Sequence, residues 1–493
     1  MINELLTSIE LCSDYCSEFP FAPNDSYPEY PFSDYSQSPN PVYCSIRNHF
    51  KNLQLDIDNF GTPKWNPLGE FDLVNKRIVI KPNWVKHYHP FNENIWSVIT
   101  HPSLIRVILD YIYIATKGDC EITIGDSPVQ SAEFDKLLEV CKMKELQSYF
   151  NSKGLHFKIE DFRLERAICE QKGGIIKTMT LSQDPEKYCV VSLADKSSHS
   201  EIDWSHNRYR VTGYNKREVL KHHRPGHHEY LISNAVIKSD FLINIPKLKT
   251  HRKAGVSLSL KNLVGINCSK DWLPHHRQGT KSTSSDEYEK FYLFQWLGVF
   301  CIEWGQMYKN ILLRRSLILV GRMFWQIHKL IRRMLHQQYY SEGSWYGNDT
   351  IWRTCLDINT ILFYSDQNGN VTDNRSQRKY LTILDGTIGG EKESPLEPTP
   401  IAAGFSVSAF NPAVSDFTAA RAMGLNPDKI PIIKNSFLKR PLPIFDKKPE
   451  EIIVKSSQKK LNTKASCVNT IRSFEPSLGW KGHIELIEDP SDK

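Results

Sequence analysis

Cationic and imidazole side chains are concentrated in one short segment of this sequence. Lys247, Lys249 and His251 follow closely on the apolar run 241–245, with Pro246 between them. Closely spaced cations beside an apolar run are typical of the strand end where an open α/β sheet holds an anionic ligand. The segment therefore predicts one wall of a binding site for a carboxylated or phosphorylated molecule.

Polar residues also follow three other apolar runs, in each case together with glycine or proline. These residues are Lys81, Asn83, Asp126, Ser127, Asp385 and Glu391. Lys261 and Asn262, which continue the first segment, complete the set. In a parallel sheet the carboxyl ends of the strands share one edge, so these segments would meet in a single crevice. Ordinary solvated loops explain any one segment, whereas several segments together favour a site.

The residue types in this crevice divide into two predicted roles. Acid/base or nucleophilic chemistry is predicted for four side chains: Asp126, His251, Lys249 and Glu391. Substrate binding is predicted for Lys81, Asn83, Ser127, Lys247, Lys261, Asn262 and Asp385. An enzyme is the favoured interpretation, because acidic groups beside cations suit proton transfer, and a carrier protein that binds the same anion without chemistry is the alternative.

Histidines form a second cluster, in residues 222–228. Imidazoles bind transition metals, and His227 and His228 are candidate ligands that a carboxylate such as Asp126 or Asp385 could complete. No zinc-type spacing is present, and adjacent histidines on a strand point to opposite faces. A basic segment that binds an anion or hydrogen-bonds within the core is the favoured interpretation, so no metal is predicted.

Strands and helices alternate in the part of the sequence that must position these residues. Residues 77–80 and 121–124 predict strands, residues 132–149 predict a helix, and residues 102–115 predict a helix with Thr100 as its N-cap. A strand, helix, strand, helix order implies a parallel sheet with right-handed crossovers. This order predicts an α/β fold.

Two further segments predict an antiparallel addition to that sheet. Residues 174–182 and 187–194 have the composition of strands, and residues 183–185 have the composition of a turn between them. The predicted fold class is therefore α/β, a mostly parallel sheet with flanking helices, an antiparallel addition and a helical insertion.

Composition limits the classes of partner and cofactor. Hydrophobic residues make up 40% and charged residues 24% of 493 residues, and the net charge is +6. No nucleic acid partner is predicted, because aromatic residues are not interleaved with the basic segments. Neither a dinucleotide nor a P-loop fingerprint is present, so no nucleotide cofactor is predicted. Eleven cysteines without a Cys-x-x-Cys pair, and the lack of a secretory leader, predict a cytoplasmic protein.

Five regions are predicted along the chain. Residues 1–70 form an N-terminal extension with little chemistry, residues 71–289 and 345–440 form the two parts of the α/β core, residues 290–344 form a basic helical insertion, and residues 441–493 form a charged C-terminal tail.

The predicted insertion is basic and amphipathic. No acidic residue occurs from Gln306 to Ser341, and apolar residues alternate there with the cations Lys309, Arg314, Arg315, Arg322, Lys329, Arg332 and Arg333. Such helices could contact an anionic membrane surface or a partner through residues 306–340. They could also form a lid whose apolar face packs on the core, which is the favoured interpretation.

Several of these segments match a known family. The chain resembles the uncharacterised proteins of domain-of-unknown-function family 362 over about residues 75–435, in the motifs at residues 80–83, 100–102, 125–128, 244–251, 260–265, 385–391 and 411–416. The resemblance implies an α/β fold in which these motifs cluster, and it implies no reaction. Many relatives carry closely spaced cysteines for iron–sulfur clusters, which this chain lacks, so no iron–sulfur cluster is expected. Residues 271–277 and 347–353 are similar to members associated with cell-surface polysaccharide genes.

Overall fold

Strands and helices alternate through the computed structural model, which describes residues 2–169, 175–182, 187–202, 209–211, 216–308, 310–375 and 377–487. The strands in these residues are β1 Leu6–Leu11, β2 Arg77–Pro82, β3 Glu121–Asp126, β4 Phe157–Asp161, β5 Glu165–Cys169, β6 Ile175–Thr180, β7 Tyr188–Ser192, β8 Tyr209–Arg210, β9 His223–Arg224, β10 His227–Ser233, β11 Phe241–Ile245, β12 Lys247–His251, β13 Gly255–Ser257, β14 His276–Arg277, β15 Lys379–Glu391, β16 Thr399–Ala402, β17 Phe405–Ala409, β18 Ile453–Lys455 and β19 Thr463–Lys464. The helices are α1 Pro41–Asn52, α2 Pro102–Thr116, α3 Phe134–Val140, α4 Met143–Ser152, α5 Lys216–His222, α6 Asn234–Ile237, α7 Ser259–Asn262, α8 Leu293–Met307, α9 Ile311–Met334, α10 Ile351–Tyr364, α11 Pro412–Ala422 and α12 Pro431–Ser436.

One central sheet contains most of these strands, in the order β19-β18-β1-β17-β15-β11-β2-β3-β4. The neighbours from β15 to β4 pair in parallel. Strands β17 and β1 continue the sheet in antiparallel pairing, and β12 and β16 pair with the long strand β15. The predicted α/β fold class is therefore confirmed.

Helices cover both faces of the sheet, because its buried strands alternate apolar side chains between the two faces. On β2, Ile78 and Ile80 join the core beneath helices α1 and α2, whereas Val79 joins the opposite core. That second core also holds Cys355 of α10 and Val414 of α11.

Two predictions about the helices differ from the structure. The predicted helix 132–149 is two helices, α3 and α4, because Lys142 adopts left-handed backbone with φ 49° and separates them. The N-cap of α2 is His101 rather than Thr100, since the His101 side chain accepts from the Ser103 N–H at 3.1 Å. Thr100 instead joins two strand ends: it accepts from the Asn83 N–H and donates to the Ile245 carbonyl, both at 2.8 Å.

The predicted antiparallel pair consists of two strands that pair elsewhere. Strand β6 pairs with β5, and β7 pairs with β10, in both cases antiparallel. Strand β6 forms its hairpin with β5, which precedes it in the chain. Strand β7 makes five residue pairs with residues 229–233 of β10, and pairing with β6 instead would lose them. The predicted turn at residues 183–185 lies outside the described residues.

Both ends of the described chain join the central sheet. Strand β1, from the predicted N-terminal extension, pairs with β17 and β18. Strands β18 and β19 come from the predicted C-terminal tail, and Trp480 of that tail is buried and donates its indole N–H to the Arg252 carbonyl at 2.8 Å. These segments therefore contribute to the core.

Helices α8 and α9 form a hairpin within the predicted insertion. The two helices pack against each other, and many of their apolar side chains remain exposed. This exposure differs from the favoured lid interpretation, in which the apolar face packs on the core. In the residues that the structure describes, no helix is long and apolar enough to cross a bilayer.

Candidate functional site

Four of the predicted segments meet at the carboxyl edge of the parallel strands. Two of them, predicted to be loops, are strands: residues 247–251 form β12 and residues 385–391 form the second half of β15, with Lys247 opposite Asp385. Pro246 separates β12 from β11, because proline has no N–H for the ladder. The twofold repeat of a strand places Lys247, Lys249 and His251 on one side of β12.

A buried ion pair fixes the ends of β2 and β3. The Lys81 ammonium donates to the Asp126 carboxylate at 2.7 Å, and both side chains are almost fully buried. The same carboxylate accepts from the Ser127 N–H and, through its other oxygen, from the Trp84 N–H, both at 2.7 Å. Gly265 packs so closely that an added Cβ would lie 1.9 Å from an Asp126 oxygen, so a side chain is excluded there. The pair therefore positions the backbone of Trp84 and Ser127.

A second buried ion pair involves the N-terminal segment. Lys247 lies 2.9 Å from the Asp385 carboxylate. The Tyr15 hydroxyl accepts from the Lys247 ammonium and donates to Asp385, both at 2.6 Å. The Tyr15 ring stacks on His101 at 4.1 Å, and the His101 N–H donates to Asp385 at 2.9 Å. Residues 1–70, where little chemistry is predicted, thus supply a side chain that completes this cluster.

Replacing Tyr15 with phenylalanine is expected to lower the free energy of unfolding by about 1–3 kcal/mol. The substitution removes the hydroxyl that joins Lys247 and Asp385 and leaves both buried groups short of one hydrogen bond. Urea denaturation measures the loss. Tyr27→Phe is the matched control, because the Tyr27 hydroxyl bonds at 3.3 Å to the exposed Asp25 and its removal should cost much less. Equal losses in the two variants would contradict the bridging role of Tyr15.

An amide network lies between the two ion pairs. The Lys249 amine donates to Asn83 Oδ1 at 2.6 Å and to the Val98 carbonyl at 2.9 Å. The Asn83 amide donates to Asn262 Oδ1 at 2.7 Å, and the Asn262 amide donates to Asn244 Oδ1, also at 2.7 Å. Burial lowers the pKa of Lys249 well below its ordinary value, and the cations nearby lower it further. Burial and the neighbouring cations therefore favour an uncharged amine at this position.

A cavity of about 270 Å³ lies above this network. Its polar lining in the described residues comprises Asn83, Trp84, Asp126, Ser127, His251, Arg252, Lys253, Ser257, Lys261, Asn262, Lys270, His275 and Ser341. Apolar side chains such as Val85, Val264 and Leu273 form the rest of the wall. Asp126 is the one carboxylate among the described lining residues, and Lys81 already neutralises it. The cavity therefore carries an excess of positive charge.

Four hydrogen-bond donors in the cavity wall lack a partner among the described residues. Trp84 Nε1 and Ser127 Oγ are buried without an acceptor. The ammonium groups of Lys261 and Lys270 have neither a hydrogen bond nor an ion pair in the described part of the chain. A buried donor without an acceptor is costly, so Trp84 and Ser127 are suited to an anion that accepts from them, and the half-buried Lys261 and Lys270 add positive charge beside them.

Burial, with a smaller contribution from neighbouring cations, lowers the pKa values of the cavity lysines. Burial lowers the pKa of Lys270 to about 7, and Lys261 and Lys81 act in the same direction. Burial also lowers the pKa of Lys253 to about 8. A bound anion would raise both values, because an opposite charge favours the ammonium form.

Two neutral histidines each leave Nε2 free, as a donor in His251 and as an acceptor in His275. His251 Nδ1 accepts from the N–H groups of Lys253 at 3.0 Å and Ala254 at 3.1 Å, so the proton resides on Nε2. His275 Nδ1 lies 2.7 Å from the Leu273 carbonyl and must carry the proton, which leaves Nε2 as an acceptor. Burial lowers the pKa of His275 to about 3 and that of His251 well below its ordinary value. The cavity thus holds one imidazole donor and one imidazole acceptor.

The predicted site residues fall into three groups in the structure. The cavity wall includes Asn83, Asp126, Ser127, His251, Lys261 and Asn262. Directly behind that wall lie Lys81, Lys247, Lys249 and Asp385. Glu391 lies apart, since its carboxylate accepts from the Glu475 N–H at 2.9 Å.

The structure also places five residues at the site that the sequence reasoning missed: Tyr15, Trp84, Lys253, Lys270 and His275. Trp84 is adjacent to the predicted Asn83, and Lys253 lies two residues after the predicted His251, so their positions were a usable signal. Tyr15, Lys270 and His275 carry no such signal, because only the tertiary fold shows which side chains face the cavity.

The candidate metal ligands His227 and His228 point to opposite faces of β10. His227 Nε2 lies 3.1 Å from the Glu229 carboxylate, whereas His228 is buried, with its Nδ1 3.4 Å from His223 Nδ1. Among the described residues, no three His, Cys, Asp or Glu side chains are placed to hold a metal ion.

The family model described as "Domain of unknown function (DUF362)" matches residues 78–207 and 203–421, which together exceed half of the chain. The chain belongs to this family. In this DUF362 protein four of the motifs noted in the sequence, at residues 80–83, 125–128, 244–251 and 260–265, supply residues to the cavity wall. Asp416 of the last motif accepts from the N–H groups of Ser259 at 2.7 Å and Leu260 at 2.9 Å, and thereby fixes α7, which carries Lys261 and Asn262.

Comparison of the DUF362 protein with curated proteins finds no match. Among solved structures, the lactate racemase apoprotein from Thermoanaerobacterium thermosaccharolyticum is 12% identical, with a TM-score of 0.32 over 77% of this chain and 55% of that one. A Thermotoga maritima protein is 11% identical, with a TM-score of 0.28 over 68% of this chain and 52% of that one. The chain thus spans about half of each structure, and these TM-scores support no argument about it.

Proposed function

We propose that this DUF362 protein is an enzyme that acts on a carboxylated or phosphorylated metabolite bound in the 270 Å³ cavity. The observation that carries the proposal is the set of donors without partners in its wall: the indole of Trp84, the hydroxyl of Ser127 and the ammonium groups of Lys261 and Lys270. Neutral and charged donors that converge on one volume suit the several oxygens of a carboxylate or phosphate.

Proton transfer is the chemistry that we propose for this cavity. Lys270, with a pKa of about 7 in the free protein, takes up a proton as the anion binds, and the resulting ammonium can serve as a general acid. His275 offers a ring nitrogen that accepts, and His251 offers one that donates. Asp126 and Lys249, which the sequence predicts to be catalytic, are engaged by neighbouring side chains, so we propose positioning roles for them.

Two finer parts of the proposal rest on the sequence. The similarity to members associated with polysaccharide genes favours a phosphorylated or carboxylated sugar as substrate. The composition of the chain favours a cytoplasmic location.

The proposal predicts that the wild-type protein converts one anionic metabolite in a small-molecule extract of its own host. Lys270→Gln and His275→Gln are each expected to slow the conversion by about 10²–10⁴-fold, as is usual on removal of a general acid or base. Mass spectrometry of the anionic metabolites before and after incubation measures the change. Lys459→Gln and His156→Gln, at exposed positions, are the matched controls and should retain full activity.

The carrier interpretation gives a different outcome in the same samples. It is favoured by the engagement of Asp126, the one carboxylate in the described lining, with Lys81. A carrier would retain an anion in native mass spectrometry of gently purified protein and would leave every metabolite in the extract unchanged. That result would reject the enzyme, and a protein that neither retains nor converts an anion would reject both interpretations.

A further inference from the structure

The helical hairpin of α8 and α9 has an apolar surface that the rest of the described protein leaves uncovered. The two helices pack closely where glycines face each other, since a Cβ added at Gly321 would lie 2.7 Å from the Gly298 carbonyl oxygen. This contact uses one side of each helix. The opposite side of α9 carries its most exposed leucine and methionine side chains.

These exposed residues form a stripe, a row along one side of α9 in which Ser316 is the one polar residue. Its members are 52 to 72% exposed: Leu312, Leu319, Met323, Leu330 and Met334. With about 100° of rotation per residue they fall within a sector of about 60° of the helix circumference, and the stripe is about 33 Å long. A folded protein rarely leaves a row of large apolar side chains of this length exposed unless the surface binds something.

Positive charge borders this stripe on one side. The exposed side chains of Arg315, Arg322 and Arg333 lie roughly 70° around the helix axis from the leucines. No acidic residue occurs between Gln306 and Ser341, although the chain as a whole has 56 acidic residues. An apolar face bordered by arginines alone is complementary to a surface whose interior is hydrocarbon and whose rim is anionic.

Helix α8 adds aromatic side chains to the hairpin surface. Trp296, Phe300 and Trp304 recur every four residues, and consecutive rings lie 5.2 and 5.5 Å apart. Each of these side chains is about 40% exposed. Tryptophan is enriched at the level of lipid headgroups, where an apolar ring with a polar edge is stable.

We propose that the α8–α9 hairpin docks the protein on an anionic lipid bilayer. The stripe of α9 enters the boundary between headgroups and acyl chains, and Arg315, Arg322 and Arg333 contact lipid phosphates. A protein partner is less suited to this surface. Protein interfaces pair charges of both signs at their rim, whereas residues 306–341 contain basic residues and no acidic residue.

Docking would bring the cavity close to the lipid surface. Ser341, at the end of the hairpin segment, lines the cavity, and the Glu342 carbonyl accepts from the Lys253 ammonium in its wall. The chain that leaves α9 at Met334 therefore reaches the wall of the proposed active site at Ser341. The docking proposal is independent of the reaction, and it extends the proposed function by giving the cavity a place at a membrane.

Co-sedimentation of the full-length protein with phospholipid vesicles tests the proposal. The anionic vesicles contain phosphatidylglycerol and phosphatidylcholine, and the neutral vesicles contain phosphatidylcholine alone. We expect wild-type protein to bind the anionic vesicles, to be released as NaCl is raised, and to bind neutral vesicles at least about tenfold more weakly.

Two triple variants separate the apolar and the charged parts of the surface. Leu312→Gln/Leu319→Gln/Leu330→Gln should lower the partition coefficient by more than about 100-fold, since each leucine is worth roughly tenfold. Arg315→Gln/Arg322→Gln/Arg333→Gln should lower binding to anionic vesicles by about tenfold or more and leave binding to neutral vesicles unchanged. The matched controls replace exposed residues elsewhere and should bind like wild type: Leu438→Gln/Leu478→Gln/Ile487→Gln and Lys459→Gln/Lys460→Gln/Lys464→Gln.

Folding and self-association are measured in the same variants. The replaced side chains are exposed, so each variant should unfold at the same temperature as wild type. If the leucine variant unfolds at a lower temperature, the single change Leu319→Gln takes its place. Vesicle binding that is absent in wild type, or unchanged in the leucine variant, would overturn the proposal. A dimer in light scattering that the leucine variant abolishes would also overturn it, because a second copy would then cover the stripe.

Discussion

Replacing Lys261 and Lys270 together with methionine is expected to lower the affinity of the cavity for sulfate and for citrate by at least about 100-fold. Each ammonium group makes a charge-assisted hydrogen bond worth roughly 1.5–3 kcal/mol with a bound anion. No described residue pairs with either group, so the substitutions break no internal ion pair. The loss of affinity should therefore occur without loss of fold.

The stability of the double variant makes this test specific. Burial lowers the pKa of Lys270 to about 7 from an ordinary value of 10.5, so between these pH values the unfolded chain binds more protons than the folded protein. This difference lowers stability most below pH 7 and progressively less as the pH rises toward 10.5. Methionine removes the penalty, so the variant should unfold at the same temperature as wild type or higher at pH 7.

Thermal unfolding in increasing sulfate and citrate measures the two affinities. A ligand at 100 times its dissociation constant stabilises the folded state by about 2.7 kcal/mol, and this part should vanish in the variant. The general salting effect of sulfate acts on both proteins alike. Lys459→Met/Lys460→Met, at exposed positions, is the matched control. Equal stabilisation of wild type and variant by both anions would reject the cavity as the anion site.

The same site should show a defined pH dependence. Sulfate keeps its charge between pH 6 and 9, whereas Lys270 and Lys253 lose their protons near pH 7 and 8. Affinity for sulfate should therefore be highest below pH 7 and should fall as the pH rises past 8. Binding at pH 7.5 should take up protons, which calorimetry in buffers of different ionisation enthalpy detects.

Much of this site could be predicted from strand ends. Lys81, Asp126 and Lys261 follow or lie near apolar runs, and the rule that parallel strands share one carboxyl edge brings them together. The rule needs no tertiary detail, because it depends only on the order of strands and helices. The fold class and the clustering of these segments were predictable for the same reason.

The roles of the individual side chains could not be predicted in this way. Lys81 and Lys261 are equally basic in sequence, yet Lys81 is paired with Asp126 and Lys261 has no partner among the described residues. Tyr15 reaches Asp385 across 370 residues of sequence, and no local pattern encodes that contact. The sequence also did not indicate that residues 247–251 form a strand. A proline such as Pro246 usually marks the end of a strand, and here a second strand begins directly after it.

Replacing Asp126 with asparagine is expected to lower the free energy of unfolding by about 3–5 kcal/mol. Three donors converge on this carboxylate: the Lys81 ammonium and the Ser127 N–H on one oxygen, and the Trp84 N–H on the other. An amide presents one oxygen and one NH₂ group, so in either orientation a donor faces another donor. The substitution also leaves the buried ammonium of Lys81 without its counter-charge.

Urea denaturation of four variants, Asp126→Asn, Lys81→Met, Lys81→Met/Asp126→Asn and Asp373→Asn, separates these effects. Asp373→Asn is the control, because Asp373 and Lys196 form an exposed ion pair at 2.8 Å whose loss should cost at most about 1 kcal/mol. Lys81→Met/Asp126→Asn removes the uncompensated charge and should recover part of the stability lost in Asp126→Asn alone. If the double variant is as unstable as the sum of the single variants, the two side chains are not coupled. Coupling together with loss of sulfate binding would show that Asp126 acts by holding Trp84 and Ser127 in the cavity wall, where their unpaired donors meet the anion.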